Sequence, residues 1–333
     1  MKKTSFTTFI SAHGILCVFI VMFILFSIYA PNFLRTRNMF NVARQISTLG
    51  ICAVGMSMVL ICGGIDLSIG YQISLGNVVC AYMMARMGVH PALAVLAAIA
   101  MGTAIGFLNG VIIVKSRVIA MIVTLAVSNV LRGLSFMVSK GLPIFGFPKG
   151  FSVLGQGTIP NGPNGVPISL LIMIVVLAFG IYALRKVYWG RYFYAVGSNE
   201  EAAMLSGVNT DAVRVLAHTL CGFMTAVGGM LLLSRTNSGL SSNGAGFEFN
   251  VITACVLGGV SVQGGKGSIF GALLGCLIVG FLENGLLLMN VSEYTQLVIK
   301  GLLLLLAVCY DTAMVRSGER IKKIKSINAD NEA

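Results

Sequence analysis

The sequence predicts an all-α, polytopic integral membrane protein of about ten transmembrane helices, with glycine-rich broken or re-entrant segments. Three observations carry this. Hydrophobic residues make up 56% of the 333 residues and charged residues only 10%, against about 25% charged in a soluble domain. The apolar residues gather into runs near the length a crossing needs, about 20 residues. Charge is concentrated instead in one interruption: residues 185–214 hold seven charged side chains, as many as the whole of 45–184. A single transmembrane domain over 1–333 accounts for the chain, with no length left for a soluble enzyme.

The elements follow in order. Lys2 and Lys3 precede an apolar run that has no small-residue cleavage site before Pro31, so the first span is expected to be retained. The candidate spans are 13–30, 46–63, 69–88, 91–114, 118–138, 167–184, 213–233, 249–262, 268–288 and 294–311. Segment 249–262 is short, and the breaks at 63–68 and 263–268 are glycine-rich rather than charged, which suits broken or re-entrant helices. With the N-terminus inside, the inner side collects twice as many lysines and arginines as the outer. That bias puts 185–214 and the basic tail 316–333 in the cytoplasm and 139–166 outside. Arg35, Arg37 and Arg44 are the outer cluster that runs against it. The outer loop 139–166 is rich in Gly and Pro and suits a cap or docking surface. GFLNG at 106–110 and GFLENG at 280–285 would lie on spans of opposite direction, as inverted repeats do.

The net charge of +12 does not indicate nucleic acid, because the basic residues are scattered at segment ends. All eight cysteines lie in apolar runs without a CxxC pair and are expected to pack rather than bind metal.

Within the polar interruption, Ser198 followed by Glu201 has the spacing of a capping box, and Gly207 that of a helix stop. Between them EEAAMLS can make a short helix, with Glu200 and Glu201 in the first turn where the helix dipole favours negative charge. Asn209 or Thr210 would cap the next helix. A short capped helix between two membrane segments suits a grip for another protein; the plain alternative is a solvated connector.

No residue set supports catalysis. GGKGS at 264–268 fails as a phosphate loop, because Val260 replaces its first glycine and Gly267 its Ser/Thr. Polar residues inside apolar segments are costly and mark cavities or partners. Asp66, with Ser68, follows Gly63 and Gly64; it is expected either to cap the 69–88 helix or to meet solute. Glu248 and Asn250 open the 249–262 segment, where a polar start facing the outer mouth suits a pathway lining. Glu283, Asn284 and Asn109 lie late in their spans and could bond a neighbouring helix or touch solute. Arg132 and Lys300 are expected to snorkel.

Four stretches carry a resemblance: GGIDLSIG at 63–70, GRYFYAVGSNEEAAMLSGV at 190–208, GAGFEFNVITACVLGGVSVQGGKGSIFGALLG at 244–275 and QLVIKGLLLLLAV at 296–308. With these the chain resembles the permease subunits of bacterial ABC sugar importers, the ribose/xylose/arabinose type. Glu201-Ala202-Ala203 followed by Gly207 is similar to the EAA–x3–Gly core of ABC coupling loops, although the downstream Ile-x-Leu-Pro is missing. The resemblance implies a permease in the bacterial inner membrane, surrounded by lipid and paired with a second permease subunit, identical or related. A cytoplasmic ABC ATPase would dock on Ser198, Glu200, Glu201, Ala202, Ala203 and Gly207, and an extracytoplasmic sugar-binding protein would deliver solute. No cofactor is implied in this chain; ATP–Mg would belong to the ATPase. A branched-chain amino acid or nucleoside permease is the nearest alternative, and an ion-coupled secondary transporter the more distant one.

Overall fold

Inside hydrocarbon a backbone must satisfy its own hydrogen bonds, and the apolar runs of this chain accordingly become helices. The computed structural model describes residues 6–148, 150–162 and 165–332, with side chains between 15 and 313. Lys2, Lys3, Lys149 and the side chains of the 316–333 tail lie outside the described residues. Five helices precede the long loop: α1 (Phe6–Tyr29), α2 (Thr36–Ile61), α3 (Ile69–Ala85), α4 (Pro91–Ser116) and α5 (Ala120–Ser139). The loop folds as one turn of helix, α6 (Val153–Gln156), and a two-stranded antiparallel hairpin, β1 (Thr158–Ile159) with β2 (Val166–Pro167). Then come α7 (Ile168–Lys186), α8 (Tyr188–Ser198), α9 (Glu200–Leu205), α10 (Thr210–Thr236), α11 (Phe247–Leu257), α12 (Ile269–Leu288) and α13 (Glu293–Glu332).

Among the described residues, seven helices are long and apolar enough to cross a membrane: α2, α4, α5, α7, α10, α12 and the Glu293–Ala313 part of α13. Burial sorts them. The most apolar stretch of α2 is 89% buried and that of α10 67%, whereas that of α13 is 6%, so α2 and α10 are the axis and α13 belongs to the surface. Six cysteines (52, 62, 80, 221, 255 and 276) are buried in this interior as free thiols, the packing role expected of them. α4 lies against α10 through small residues. Gly102, Gly106 and Gly110 recur every four residues, and a Cβ at any of them would press into Ala226, Gly222 or Val215 of α10. Small faces of this kind let membrane helices approach closely.

Two apolar helices of the bundle are shorter, α3 at the lower limit of a crossing and α11 well below it. At 1.5 Å per residue, the 17 residues of α3 span about 25 Å. The 11 residues of α11 span about 16 Å, roughly half of a ~30 Å hydrocarbon core. The expected span 249–262 is therefore a half-helix. Gly229 of α10 abuts Ile73, so α3 starts alongside the middle of α10. The start of α11 meets it there. Gly70 and Gly244 are packed so closely that a Cβ on either would strike the other's carbonyl oxygen, and Gly244 donates its N–H to Ser74 Oγ at 3.0 Å.

The order long, short, long, long occurs twice, as α2–α5 and as α10–α13. α2 begins, and α10 ends, beside the long loop: Arg44 donates to the Gln156 carbonyl at 3.2 Å, and Gln156 Nε2 to the Arg235 carbonyl at 2.9 Å. The two sets thus run in opposite directions. GFLNG lies in α4 and GFLENG in α12, the corresponding third members.

Candidate functional site

The two glycine-rich breaks, far apart in sequence, are adjacent in space. Gly265 donates its N–H to the Ile61 carbonyl at 2.8 Å, and a Cβ on Gly264 would lie 3.0 Å from Gly63 Cα. The end of α8 is wedged between them. A Cβ on Gly197 would collide with the Ile61 carbonyl on one side and approach Gly265 N on the other. Tyr194, on the same helix, donates its hydroxyl to the Gly267 carbonyl at 2.9 Å. Burial raises the Tyr194 phenol above its ordinary value, against the opposing charge of Arg185, which keeps it a neutral donor. Asp311 of α13 holds the far side of the second break, accepting from Ser261 Oγ at 2.9 Å and Val262 N at 3.1 Å. The end of α8 thus touches both breaks.

α9 continues directly from this wedge. Its cap is Asn199, whose Oδ1 accepts from Ala202 N at 2.9 Å. Ser198 is the last residue of α8, and the expected Ser198–Glu201 capping box does not form. The reason is backbone conformation: Asn199, not Ser198, has the extended angles (φ −163°, ψ 104°) of a cap. Gly207 ends the helix at φ +83°. Val208 N bonds Ala203 O and Gly207 N bonds Met204 O, at 3.1 and 3.0 Å, the paired bonds of a Schellman stop. Asn209 caps α10 through Ala212 N at 3.0 Å. Glu200 pairs with Arg214 at 2.6 Å, tying α9 to α10. Ala203 is buried beneath, whereas Glu201 and Ala202 are exposed. Met204 is 59% and Leu205 87% exposed, an apolar tip on a polar loop.

A second cluster gathers at the first break. Asp66 Oδ1 accepts from both Ser68 N (2.9 Å) and Ser68 Oγ (2.6 Å). Asn109 donates from α4 to the same Ser68 Oγ at 2.9 Å. Asp66, Ser68 and Asn109 are thus brought together, fully buried. Ser68, however, occupies the cap position of α3 and makes no capping bond, so Asp66 closes a turn two residues earlier instead of capping the helix. Its other oxygen faces His218 Nδ1 of α10 at 3.5 Å. His218 was not singled out in the sequence; its place inside a span was the available signal. A cavity of about 270 Å³ beside this pair is lined by Gly63, Gly64, Arg117, Ile119, Arg214 and His218.

A third cluster lies nearer the long loop. Glu283 of α12 accepts from Lys300 Nζ at 2.8 Å, Asn250 Nδ2 at 3.0 Å and Gln45 Nε2. Lys300 is thus paired rather than snorkelling. Asn284 and Asn38 exchange two amide bonds of 2.8 and 2.9 Å, the helix-bonding role. Arg132 lies over the Tyr71 ring at 5.6 Å. Glu248 joins none of these. It is 8% exposed, its Oε2 has no hydrogen-bond partner, and it packs at Gly70 where α3 and α11 meet. It lies instead where the two short helices meet, apart from Asn250 and the third cluster.

A multi-pass bundle with two shortened helices, buried polar clusters and a short exposed helix beside its breaks has the build of a membrane permease. Comparison with known proteins gives the family. The model described as "Branched-chain amino acid transport system / permease component" matches residues 38–308. The ribose import permease protein RbsC of Escherichia coli (strain K12) is 40% identical over 297 residues, covering 89% of this chain and 92% of that protein. RbsC of Bacillus subtilis (strain 168) is 38% identical, covering 87% and 89%. The L-arabinose ABC transporter permease protein AraH of Azospirillum brasilense is 36% identical, covering 91% and 88%. No solved structure matches the chain. The chain belongs to this family of ABC transporter permeases and is a multi-pass inner-membrane protein.

Proposed function

We propose that the chain is the membrane-spanning subunit of an importer that passes a monosaccharide inward, driven by ATP hydrolysis on a separate ATPase. The observation that carries the solute class is similarity along nearly the whole chain to ribose and arabinose permeases. The ATPase seat in this reading is α9 with Ser198, Glu200, Glu201, Ala202, Ala203 and Gly207. Its exposed Met204–Leu205 tip fits a cleft on the partner, and its rigid continuity with α8 supports a lever that moves both breaks. The α9 side is then cytoplasmic and the long-loop side faces the binding protein. Asp66, Ser68, Asn109, Asn250, Glu283 and Asn284 tie helices around the pathway, and Glu248 marks the meeting point of α3 and α11. A second permease subunit completes the pore. The chain contributes no nucleotide site; ATP–Mg is bound by the ATPase.

The test is uptake of labelled D-ribose and L-arabinose into proteoliposomes holding the permease and its ATPase, with binding protein outside. ATP-dependent uptake is expected, with at least a tenfold loss in Gly207→Val, whose β-branched side chain resists a positive φ. Uptake of labelled leucine in place of both sugars would favour the amino acid reading that the family description names.

A further inference from the structure

An open vestibule of about 640 Å³ on the long-loop face is lined by Arg37, Phe40, Arg44, Gln45, Gln156 and Arg235. Among the described residues, no carboxylate lines it. The nearby acid, Glu283, is hydrogen-bonded to Lys300, Asn250 and Gln45, and its charge also acts on Arg235 without a direct ion pair. Among the described residues, none of the three arginines has a salt-bridge partner. Arg44 spends its terminal nitrogens on neutral oxygens, Asn41 Oδ1 and the Gln156 carbonyl, both at 3.2 Å. Its Nε is buried without any partner. Three like charges around one opening repel, and an anion between them relieves that repulsion. A guanidinium is the group best shaped to hold a carboxylate or phosphate, through two parallel bonds.

The rest of the lining suits a sugar. Phe40 offers an apolar face, and Gln45 and Gln156 offer amides, the mix of apolar surface and few polar groups that ligand sites use. Gln45 also leads inward, since it bonds the Glu283 network beneath. The geometry points to the vestibule as a recognition site for an anionic sugar, one that carries a carboxylate or phosphate group held by Arg37, Arg44 and Arg235. This rests on the sugar-permease reading above and narrows its solute class.

The experiment uses the full permease in nanodiscs and measures binding of D-galacturonate, ribose 5-phosphate, D-galactose, D-ribose and inorganic phosphate by calorimetry. At least one anionic sugar should bind, at least tenfold tighter than its neutral counterpart, and more weakly as salt rises. Galacturonate alone identifies a carboxylate site; ribose 5-phosphate alone identifies a phosphate site. Arg44→Gln and Arg235→Gln should each weaken the anion at least tenfold. Arg44→Lys, which keeps the charge but loses the fork, should weaken it less. Arg86→Gln, on an exposed arginine outside the vestibule, should change nothing. The proposal is overturned if neither anionic sugar binds, if the glutamine variants bind as the parent does, or if inorganic phosphate binds as well as ribose 5-phosphate. It is equally overturned if the variants keep the anion but lose the binding protein, since the arginines would then be a docking surface. ATP-driven uptake by the same protein in proteoliposomes separates the two readings. Uptake of D-ribose without anion binding removes the vestibule site alone. Absence of ATP-driven uptake for every sugar removes the permease reading.

Discussion

Asp66 shows how much a single buried carboxylate carries. It accepts two hydrogen bonds from Ser68 and faces His218 across the first break. Asp66→Asn keeps an acceptor for Ser68 but removes the charge opposite the imidazole; Asp66→Ala removes both. Leaving buried donors unpaired costs about 1–3 kcal/mol, so transport should fall in the order parent, Asn, Ala. Equal loss in Asn and Ala, with normal membrane levels, would show that the His218 contact dominates. Gly197 gives a second test. Gly197→Ala should insert normally yet lower coupled ATP hydrolysis several-fold, because the added methyl pushes α8 off the Ile61 carbonyl; unchanged coupling would mean that α8 is not the lever. The polar residues themselves were legible in the sequence, since an Asp or Glu within an apolar run stands out. Their partners were not. Asp66 to His218 and Glu283 to Gln45 are contacts between segments whose rotation about their axes no spacing rule sets.

The short helix α9 was anticipated with its stop at Gly207, because glycine at a helix end reports a positive φ directly. Its start was misplaced by one residue. Ser198 and Asn199 are both good caps, and only the continuation of α8 through Ser198 decides between them. Asn199→Ala should cost about 1 kcal/mol of helix stability and reduce ATPase co-purification several-fold. Ser198→Ala, which removes no capping bond, should reduce it less; the reverse pattern would restore the capping box. α8 itself was not foreseen, since its aromatic, glycine-containing sequence has no sharp cap. α2 starts at Thr36 rather than 46 because Arg37, Arg44 and Gln45 interrupt the apolar run without interrupting the helix.

Over the whole molecule, the ten apolar segments and the shortness of the one that holds α11 were legible from hydropathy, whereas where α11 begins and ends was not. Its apolar residues continue into the glycine break, and only the close passage of Gly244 and Gly70 shows where the helix begins. The orientation remains a prediction from charge. Single cysteines at 198 and 161, in a background cleared of the native thiols, should label from opposite faces, with 161 reached from outside intact cells. Labelling of position 198 from outside would invert the assignment of the ATPase seat.

The glycine face of α4 has a consequence for how the protein is made. Gly102, Gly106 and Gly110 fit only against α10, which emerges from the ribosome on the order of a hundred residues later. At about 5–20 residues per second, that helix waits roughly 5–20 s with its contact surface uncovered. Neither half of the chain can finish folding before the other is made. A chain severed in the 139–166 loop should therefore yield two fragments that are degraded when made singly and persist when made together.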